Sequence, residues 1–402
     1  SKCSENLIKD DMIDSPQVPN ILPADYQNST LVGRVYRPGL GASVIVIRDN
    51  FVFDITDTIA TLSDLFNQTD PLALVQWADG EKVGALETLV GSSLERLDNK
   101  KATLLMAPSD LQPIKACGVT FASSMIERVI DERTGGDPGR ADQIRDEIVT
   151  AVGVDLSKIK PGSDAAQKAK EVLKSRGLWS QYLEVGIGPD AEIFTKASPM
   201  ASVGYGAEVG LHPISQWNNP EPEIVLAING RGQAVGATLG NDVNLRDVEG
   251  RSALLLGKAK DNNASSAIGP FIRLFDDSFT MDDVRNAVVH LRVEGEDGFV
   301  LDGKSSMAEI SRDPEELIDH AYGDHHQYPD GFMLFLGTLF SPIQDRDVEG
   351  SGFTHKLGDK VIIHSDRFGT LVNHVALSTE ISPWTYGLGA LFHDLARRND
   401  RQ

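Results

Sequence analysis

The 402-residue chain is poor in cysteine and in positive charge. Of its two cysteines, Cys3 lies in a polar terminus and Cys117 in an apolar stretch, so we expect no structural disulfide and a reducing, cytoplasmic compartment. The chain has 38 lysines and arginines but 59 aspartates and glutamates, which gives a net charge of −21. Because a protein that neutralises phosphates needs a basic surface, this balance argues against nucleic acid and anionic membranes as partners.

Long apolar segments are also absent from the sequence. The longest apolar run, Phe332–Phe340, is interrupted by Gly337 and falls far short of the ~20 residues that a membrane-spanning helix needs. Residues 1–15 are polar and acidic, unlike the cationic start and apolar middle of a secretory signal peptide. We therefore expect no membrane association.

The length and a hydrophobic content of 41% predict a globular protein of two or three domains. We predict an N-terminal arm and small α+β domain over residues 1–108, followed by a catalytic domain over 109–402. Closely spaced strand-like runs predict that the second domain is mainly β, and apolar residues at helical spacing predict a helical insertion at about 122–180. The expected fold class is α+β, mainly β. The sequence Arg-Asp-Val-Glu-Gly occurs at 246–250 and again at 346–350, but the flanks differ and we interpret this as coincidence.

Two glutamates at the start of an apolar strand are the most informative feature of the sequence. Glu221 and Glu223 are two residues apart, so on an extended chain both carboxylates point to the same side. A turn centred on Arg231 would fold the next strand back, pair Glu221 with Asn241 and bring Asp242 close. Three converging carboxylates repel one another unless protons or a cation intervene, and all-oxygen ligation suits Mg²⁺, with Mn²⁺ or Ca²⁺ as alternatives. Two exposed glutamates beside a turn aspartate are the competing interpretation.

Other charged residues could act with such a site. Lys260 follows an apolar run, and a lysine near a metal and an apolar wall can serve as an acid or a base. Glu192, Phe194 and Lys196 alternate on one predicted strand and therefore share a face. Their two charges form either a structural ion pair or a catalytic acid with its tuning partner.

Several blocks of the sequence resemble the fumarylacetoacetate hydrolase family, and they occur in family order between about Ile114 and Leu395. These blocks are Pro220–Glu223, Gly240–Asp247, Gly269-Pro270, Gly337-Thr338, His355–Val361 and Gly369–Asn373. The resemblance implies the family's mixed β-roll. It also implies a divalent metal ion, Mg²⁺ first of all, held by Glu221, Glu223 and Asp242.

Within that family, the chain is most similar to the 2-keto-3-deoxy-pentonate dehydratases. The similar segments are Ala191–Lys196, Ser215–Asn218, Gly240–Gly250 and Ala259-Lys260. The resemblance implies loss of water from a small anionic keto sugar acid, derived from D-xylonate or D-arabinonate, to give 2-oxoglutarate semialdehyde in non-phosphorylative pentose catabolism. It further implies that Glu192 and Lys260 are catalytic and that the protein is a homodimer or homotetramer.

One departure from the family separates dehydration from hydrolysis. The hydrolases carry a histidine, followed closely by a glutamate, that activates water. Here Ser124 stands at the apparent place of that histidine, and a serine cannot act as this base near neutral pH. Glu127 follows it and remains a catalytic candidate that would act through another residue. The alternatives are an acylpyruvate or fumarylacetoacetate-type C–C hydrolase and a non-catalytic, metal-dependent ligand-binding protein.

The resemblance also suggests a set of substrate-binding residues. These are Thr120, Phe121, Ser124, Lys196, Gly337 and Thr338. In this interpretation Gly337 and Thr338 hold the substrate carboxylate through a backbone N–H and a hydroxyl.

Overall fold

The structure of the protein is a computed structural model that describes residues 20–96, 101–134, 141–153, 155–340, 342 and 344–400. Its strands are β1 Leu31–Arg37, β2 Gly41–Arg48, β3 Phe51–Asp54, β4 Glu81–Ala85, β5 Leu104–Met106, β6 Ile114–Gly118, β7 Glu192–Ala197, β8 Glu208–Leu211, β9 Pro222–Ile228, β10 Ala234–Asp242, β11 Ser266–Leu274, β12 Val288–Glu294, β13 Val300–Ser306, β14 Phe332–Phe335, β15 Lys360–Ser365 and β16 Gly369–Leu377. Its α-helices are α1 Leu62–Asn67, α2 Pro71–Trp77, α3 Leu86–Glu95, α4 Ala122–Thr134, α5 Ala141–Val152, α6 Asp164–Ser175, α7 Gln181–Ile187, α8 Arg246–Arg251, α9 Leu256–Lys260, α10 Met281–Arg285, α11 Pro314–Ala321 and α12 Leu388–Asn399. The predicted class, α+β and mainly β, is confirmed.

The strands form two sheets. The larger has the order β4-β3-β2-β1-β11-β10-β9-β14-β6-β7, with β5 beside β1, and the smaller has the order β13-β12-β15-β16-β8. Most neighbours are antiparallel, whereas β14 with β6 and β16 with β8 are parallel. Apolar residues from both sheets form one buried cluster. Every residue of β9 is buried, which explains why its sequence is an unbroken apolar run after Glu223.

The N-terminal strands extend the larger sheet. Leu31 and Val32 of β1 pair with Arg273 and Ile272 of β11, so one sheet crosses the boundary predicted at residue 108. The division of the chain into two domains stays a prediction.

Three helices, α4 to α6, lie in the segment predicted as a helical insertion, about 122–180, and α7 follows it directly. They bury an apolar cluster of their own, which includes Met125, Val129, Leu173 and Leu183. Helix α6 begins after Ser163, whose hydroxyl accepts a hydrogen bond from Ala166 N–H and caps the helix.

Two further expectations concern cysteine and the membrane. Cys117 is buried with a free thiol, while Cys3 lies outside the described residues. None of the helices described is both long and apolar enough to span a membrane.

Candidate active site

The β9–β10 hairpin brings the three predicted metal ligands together. Glu223 lies opposite Gly240, and Asp242 N–H donates a hydrogen bond to the carbonyl of Glu221 at 3.0 Å. Oxygens of Glu221, Glu223 and Asp242 all lie within 4.8 Å of one another, and the three side chains are buried. The competing interpretation of exposed glutamates is therefore wrong.

The hairpin register differs by one residue from the expected register. Asn241 lies opposite Pro222 rather than Glu221, because an irregularity between Ala234 and Gly236 shifts the pairing near the turn. Asn241 still contacts Glu221, since its Oδ1 accepts a hydrogen bond from Glu221 N–H at 3.1 Å.

Two lysines contact two of the three carboxylates. Nζ of Lys260 lies 3.0 Å from Glu221 Oε2 and 3.2 Å from Asp242 Oδ2. Nζ of Lys196 lies 3.0 Å from Asp242 Oδ1 and donates hydrogen bonds to the carbonyls of Val243 and Lys260. Asp242 therefore bridges two ammonium groups.

Burial and charge move the pKa values of these carboxyls in opposite directions. Burial, with the charge of Asp242, raises the pKa of Glu221 to about 7 despite Lys260. Burial and the same neighbour raise the pKa of Glu223 well above its ordinary value. Burial alone would raise the pKa of Asp242, but the ammonium groups of Lys196 and Lys260 outweigh it and lower that pKa. Burial would lower the pKa of Lys260, yet Asp242 and Glu221 raise it.

This donor set fits a divalent cation. Buried carboxyls whose pKa values are raised by one another bind either protons or a cation, and three carboxylates are the hard oxygen ligands that Mg²⁺ uses while keeping water in its remaining positions. The acidic triad could therefore hold a metal ion.

A partly open cavity lies beside the triad. Its wall includes Glu192, Phe194, Thr338, Arg128, Asn244 and Glu249, besides the triad and Lys260. Glu192 lies opposite Gly118 of β6, and a side chain at Gly118 would collide with the Glu192 carboxylate. Burial and the charge of Glu249 raise the pKa of Glu192. The cavity thus joins the triad to a further carboxyl, that of Glu192, whose pKa is raised.

Gly337 shapes the Glu223 side of the cavity. Its N–H donates a hydrogen bond to Glu223 Oε2 at 2.7 Å, so this group orients a triad carboxylate rather than pointing freely at a substrate. Its φ of 91° is in the left-handed region, and a Cβ there would collide with Thr120 Oγ1. Only glycine fits this position.

Three of the predicted substrate-binding residues lie away from the cavity wall. Thr120 is buried and donates a hydrogen bond to the carbonyl of Leu336 at 2.8 Å, and Phe121 is fully buried in the core. Lys196 is fully buried behind Asp242. Lys196 contacts Asp242, and Thr120 packs against Gly337. The predicted substrate contacts of all three residues stay predictions.

Ser124 and Glu127 lie on α4 beside Arg128, but their side chains are outside the part of the chain that the structure describes. Their predicted roles stay predictions.

Sequence reasoning missed Arg128, Asn244 and Glu249. Nη2 of Arg128 lies 3.6 Å from Glu221 Oε1, and its Nη1 lies 3.7 Å from Glu249 Oε1. Glu249 belongs to the first Arg-Asp-Val-Glu-Gly copy, which forms α8 beside the cavity. The short separation along the sequence between Asp242 and Glu249 could have indicated that Glu249 lies at the site. Arg128 gave none, because a charged residue on an amphipathic helix is ordinarily solvated.

Sequence comparison identifies relatives with a common chemistry in their names. The family described as fumarylacetoacetate (FAA) hydrolase C-terminal matches residues 166–376, over half of the chain. A probable 2-keto-3-deoxyxylonate dehydratase of Haloferax volcanii is 28% identical over 284 residues, which cover 69% of this chain and 93% of the relative. A 2-dehydro-3-deoxy-D-arabinonate dehydratase of Saccharolobus solfataricus is 29% identical over 194 residues, which cover 48% of this chain and 60% of the relative.

Solved structures show the same fold. An apo form of 2-keto-3-deoxy-D-arabinonate dehydratase superposes with a TM-score of 0.61 at 21% identity, over 87% of this chain and 99% of that chain. A structure of a 2-keto-3-deoxy-D-arabinonate dehydratase complexed with magnesium and 2,5-dioxopentanoate superposes with a TM-score of 0.60 at 21% identity, over the same shares of both chains. The family-like mixed β fold expected from the sequence is confirmed.

Proposed function

Since the chain belongs to the fumarylacetoacetate hydrolase family, we propose that it removes water from a 2-keto-3-deoxy-pentonate and forms 2-oxoglutarate semialdehyde. The observation that carries this proposal is the meeting of the buried acidic triad, Lys260 and Glu192 at one cavity. Both named relatives support it, because they are called dehydratases of such acids. The reaction would serve non-phosphorylative breakdown of D-xylonate or D-arabinonate.

Glu221, Glu223 and Asp242 would hold the required cation, with Mg²⁺ as the first choice. The solved dehydratase that contains magnesium also contains 2,5-dioxopentanoate, which is the semialdehyde proposed here as product. A divalent cation at the triad would supply Lewis acidity that stabilises negative charge on the substrate's ketone oxygen. Lys196 and Gly337 keep two of the three carboxylates in position for this role.

Glu192 is the proposed proton carrier. It takes the C3 proton, and the electron pair of the C3–H bond forms a C2–C3 double bond with negative charge on the ketone oxygen. The Lys260 ammonium, which Asp242 and Glu221 keep protonated, balances that charge. When the C4–O bond breaks, the ketone re-forms, a C3–C4 double bond appears, and Glu192 returns its proton to the departing hydroxyl as water leaves.

A second proton shift completes the reaction. Loss of a C5 proton and gain of a proton at C3 move the double bond to C4–C5. The resulting enol then tautomerises to the aldehyde. The balance is one substrate giving one water and one semialdehyde, with no oxidant or reductant.

Turnover of defined substrates tests the proposal. The purified protein is incubated with 2-keto-3-deoxy-D-xylonate and 2-keto-3-deoxy-D-arabinonate, each with Mg²⁺ or with EDTA, and the semialdehyde is quantified after derivatisation. We expect semialdehyde from at least one acid with Mg²⁺ and a large loss with EDTA. An acylpyruvate is tested in parallel. Pyruvate from the acylpyruvate, without any semialdehyde from the two sugar acids, would favour the C–C hydrolase. Binding of the acids without turnover would favour the ligand-binding protein.

We also propose that the protein is cytoplasmic and forms a homodimer or a homotetramer. Light scattering coupled to size-exclusion chromatography measures the oligomeric state, and a monomeric mass would contradict it.

A further inference from the structure

Three polar side chains form one corner of the cavity, which we call the polar corner: Arg128, Asn244 and Glu249. Arg128 comes from α4 of the helical insertion, while Asn244 and Glu249 come from the segment that follows the β9–β10 hairpin. The Arg128 guanidinium lies within 6 Å of the Tyr182 ring of α7, so the insertion holds this cation over the cavity. The mechanism proposed above uses none of the three.

Two acceptors of the polar corner lack hydrogen-bond donors. Asn244 is 1% exposed and its Oδ1 is buried without a hydrogen bond among the described residues. Oε2 of Glu249 is likewise buried without a hydrogen bond among the described residues. The nearest cation, Arg128, is 3.7 Å from the other Glu249 oxygen, too far for a hydrogen bond. Buried acceptors left unpaired are costly, so a bound molecule with O–H donors would be favoured here.

The polar corner and Gly337 contact different members of the triad. Arg128 approaches Glu221, whereas Gly337 N–H binds Glu223. Glu249 and Glu192 line the same cavity, so the polar corner shares this cavity with the proposed proton carrier. A substrate whose keto acid end meets the triad would therefore extend its far end past Glu192 towards Glu249.

We propose that the polar corner binds the terminal C5 hydroxyl of the substrate and so selects hydroxylated over apolar 2-keto acids. This inference rests on the proposed function. The hydroxyl donates a hydrogen bond to Glu249 Oε2 or Asn244 Oδ1 and accepts a hydrogen bond from Arg128. A site built to bind a hydroxyl rejects an analogue that lacks it, because its own polar groups are then left unpaired.

Paired substrates test this assignment. 4-Hydroxy-2-oxopentanoate keeps the C4 hydroxyl that leaves but lacks the C5 hydroxyl. Its kcat/KM is compared with that of the 2-keto-3-deoxy-pentonate by substrate loss with Mg²⁺, and its inhibition constant is used where turnover is too slow. We expect the wild type to prefer the pentonate by about tenfold or more, as for a hydrogen bond to a charged group.

Variants of Glu249 then separate recognition from catalysis. Glu249→Met should remove most of the preference by lowering kcat/KM for the pentonate about tenfold more than for the analogue. Glu249→Gln, which keeps an acceptor, should restore part of it. Glu309→Met removes an exposed glutamate and should leave the preference unchanged. Effects that act through Glu192 or the metal would lower kcat/KM equally for both substrates. The ratio of the two kcat/KM values therefore reports on recognition of the C5 hydroxyl alone.

The outcomes are distinguishable. A wild-type preference under about twofold, or equal losses for both substrates in Glu249→Met, would overturn the polar-corner assignment while the dehydratase function stands. Failure of the wild type to convert or bind either acid would overturn the proposed function itself. If Glu249→Met does not fold, Asn244→Ala is compared with the wild type on the same two substrates. It should likewise lower kcat/KM more for the pentonate than for the analogue.

Discussion

The ion pair between Asp25 and Arg273 offers a stability prediction that can be worked through from the structure. Arg273 of β11 is 1% exposed, and its two terminal nitrogens donate hydrogen bonds to the Asp25 carboxylate at 2.7 and 2.9 Å. The pKa of Asp25 falls to about 2, chiefly through the hydrogen bond with Arg273 and against the opposing effect of burial. We predict that Asp25→Asn destabilises the protein and that the loss depends on pH.

The magnitude follows from the pKa difference between the folded and unfolded states. A change from 3.8 to about 2 corresponds to about 2 kcal/mol of unfolding free energy at pH 7. Because the folded-state pKa is the lower one, this contribution is present above pH 4 to 5 and disappears as the pH falls towards 2. About half of it should remain near pH 3.

Urea unfolding of the wild type and Asp25→Asn at several pH values between 7 and 3.5 measures this contribution. Asp277→Asn is the matched control, because Asp277 is a nearby exposed aspartate whose replacement should change the unfolding free energy by less than about 0.5 kcal/mol. A difference between Asp25→Asn and the wild type that is below about 0.5 kcal/mol at pH 7, or that grows as the pH falls, would show that the Asp25–Arg273 ion pair does not stabilise the fold in this way.

Three predictions concern the site. Excess Mg²⁺ should raise the melting temperature of the wild type, since a ligand that binds only the folded state stabilises it, and Glu221→Gln should abolish this rise; an equal rise for both proteins in differential scanning fluorimetry would contradict the metal assignment. Glu192→Gln should lower kcat by about 100-fold or more while the Mg²⁺-dependent rise is kept, and near-normal turnover would exclude Glu192 as proton carrier. Gly337→Ala should lower the unfolding free energy by about 1–3 kcal/mol, because a left-handed φ and the collision with Thr120 both oppose a Cβ; equal stability in urea would contradict this account of the turn.

The acidic triad was predictable because its causes are local. Alternation puts Glu221 and Glu223 on one side of an extended chain, and a single turn returns Asp242 to them. The exact register was not predictable, because an irregularity between Ala234 and Gly236 shifts the pairing by one residue. The triad tolerates this shift, since Asp242 stays beside Glu221 in either register.

Strand alternation predicted a shared face for Glu192, Phe194 and Lys196 but not where the cavity ends along that strand. Glu192 and Phe194 line the cavity, whereas Lys196 lies behind Asp242. How far an open space extends depends on the elements that pack around it. That information is absent from the strand itself.

The polar corner shows the same limit more strongly. Arg128 reaches the cavity only because α4 packs with α5 and α7 around a separate apolar cluster. A sequence pattern gives the apolar face of such a helix, but the partner of its polar face is set by the tertiary fold. The antiparallel pairing of β14 with β9, which brings Gly337 next to Glu223, is equally non-local.

Isotope-labelled turnover distinguishes dehydration of the sugar acid from every alternative reaction considered above. The protein is mixed with [¹³C]2-keto-3-deoxy-pentonate, as both C4 epimers, and carbon NMR spectra are recorded with Mg²⁺ and with EDTA. The account predicts the C5 aldehyde signal of 2-oxoglutarate semialdehyde, or of its hydrate, with Mg²⁺ and none above background with EDTA. Unchanged substrate with Mg²⁺ for both epimers, or carbon signals of a C–C cleavage product, would contradict it.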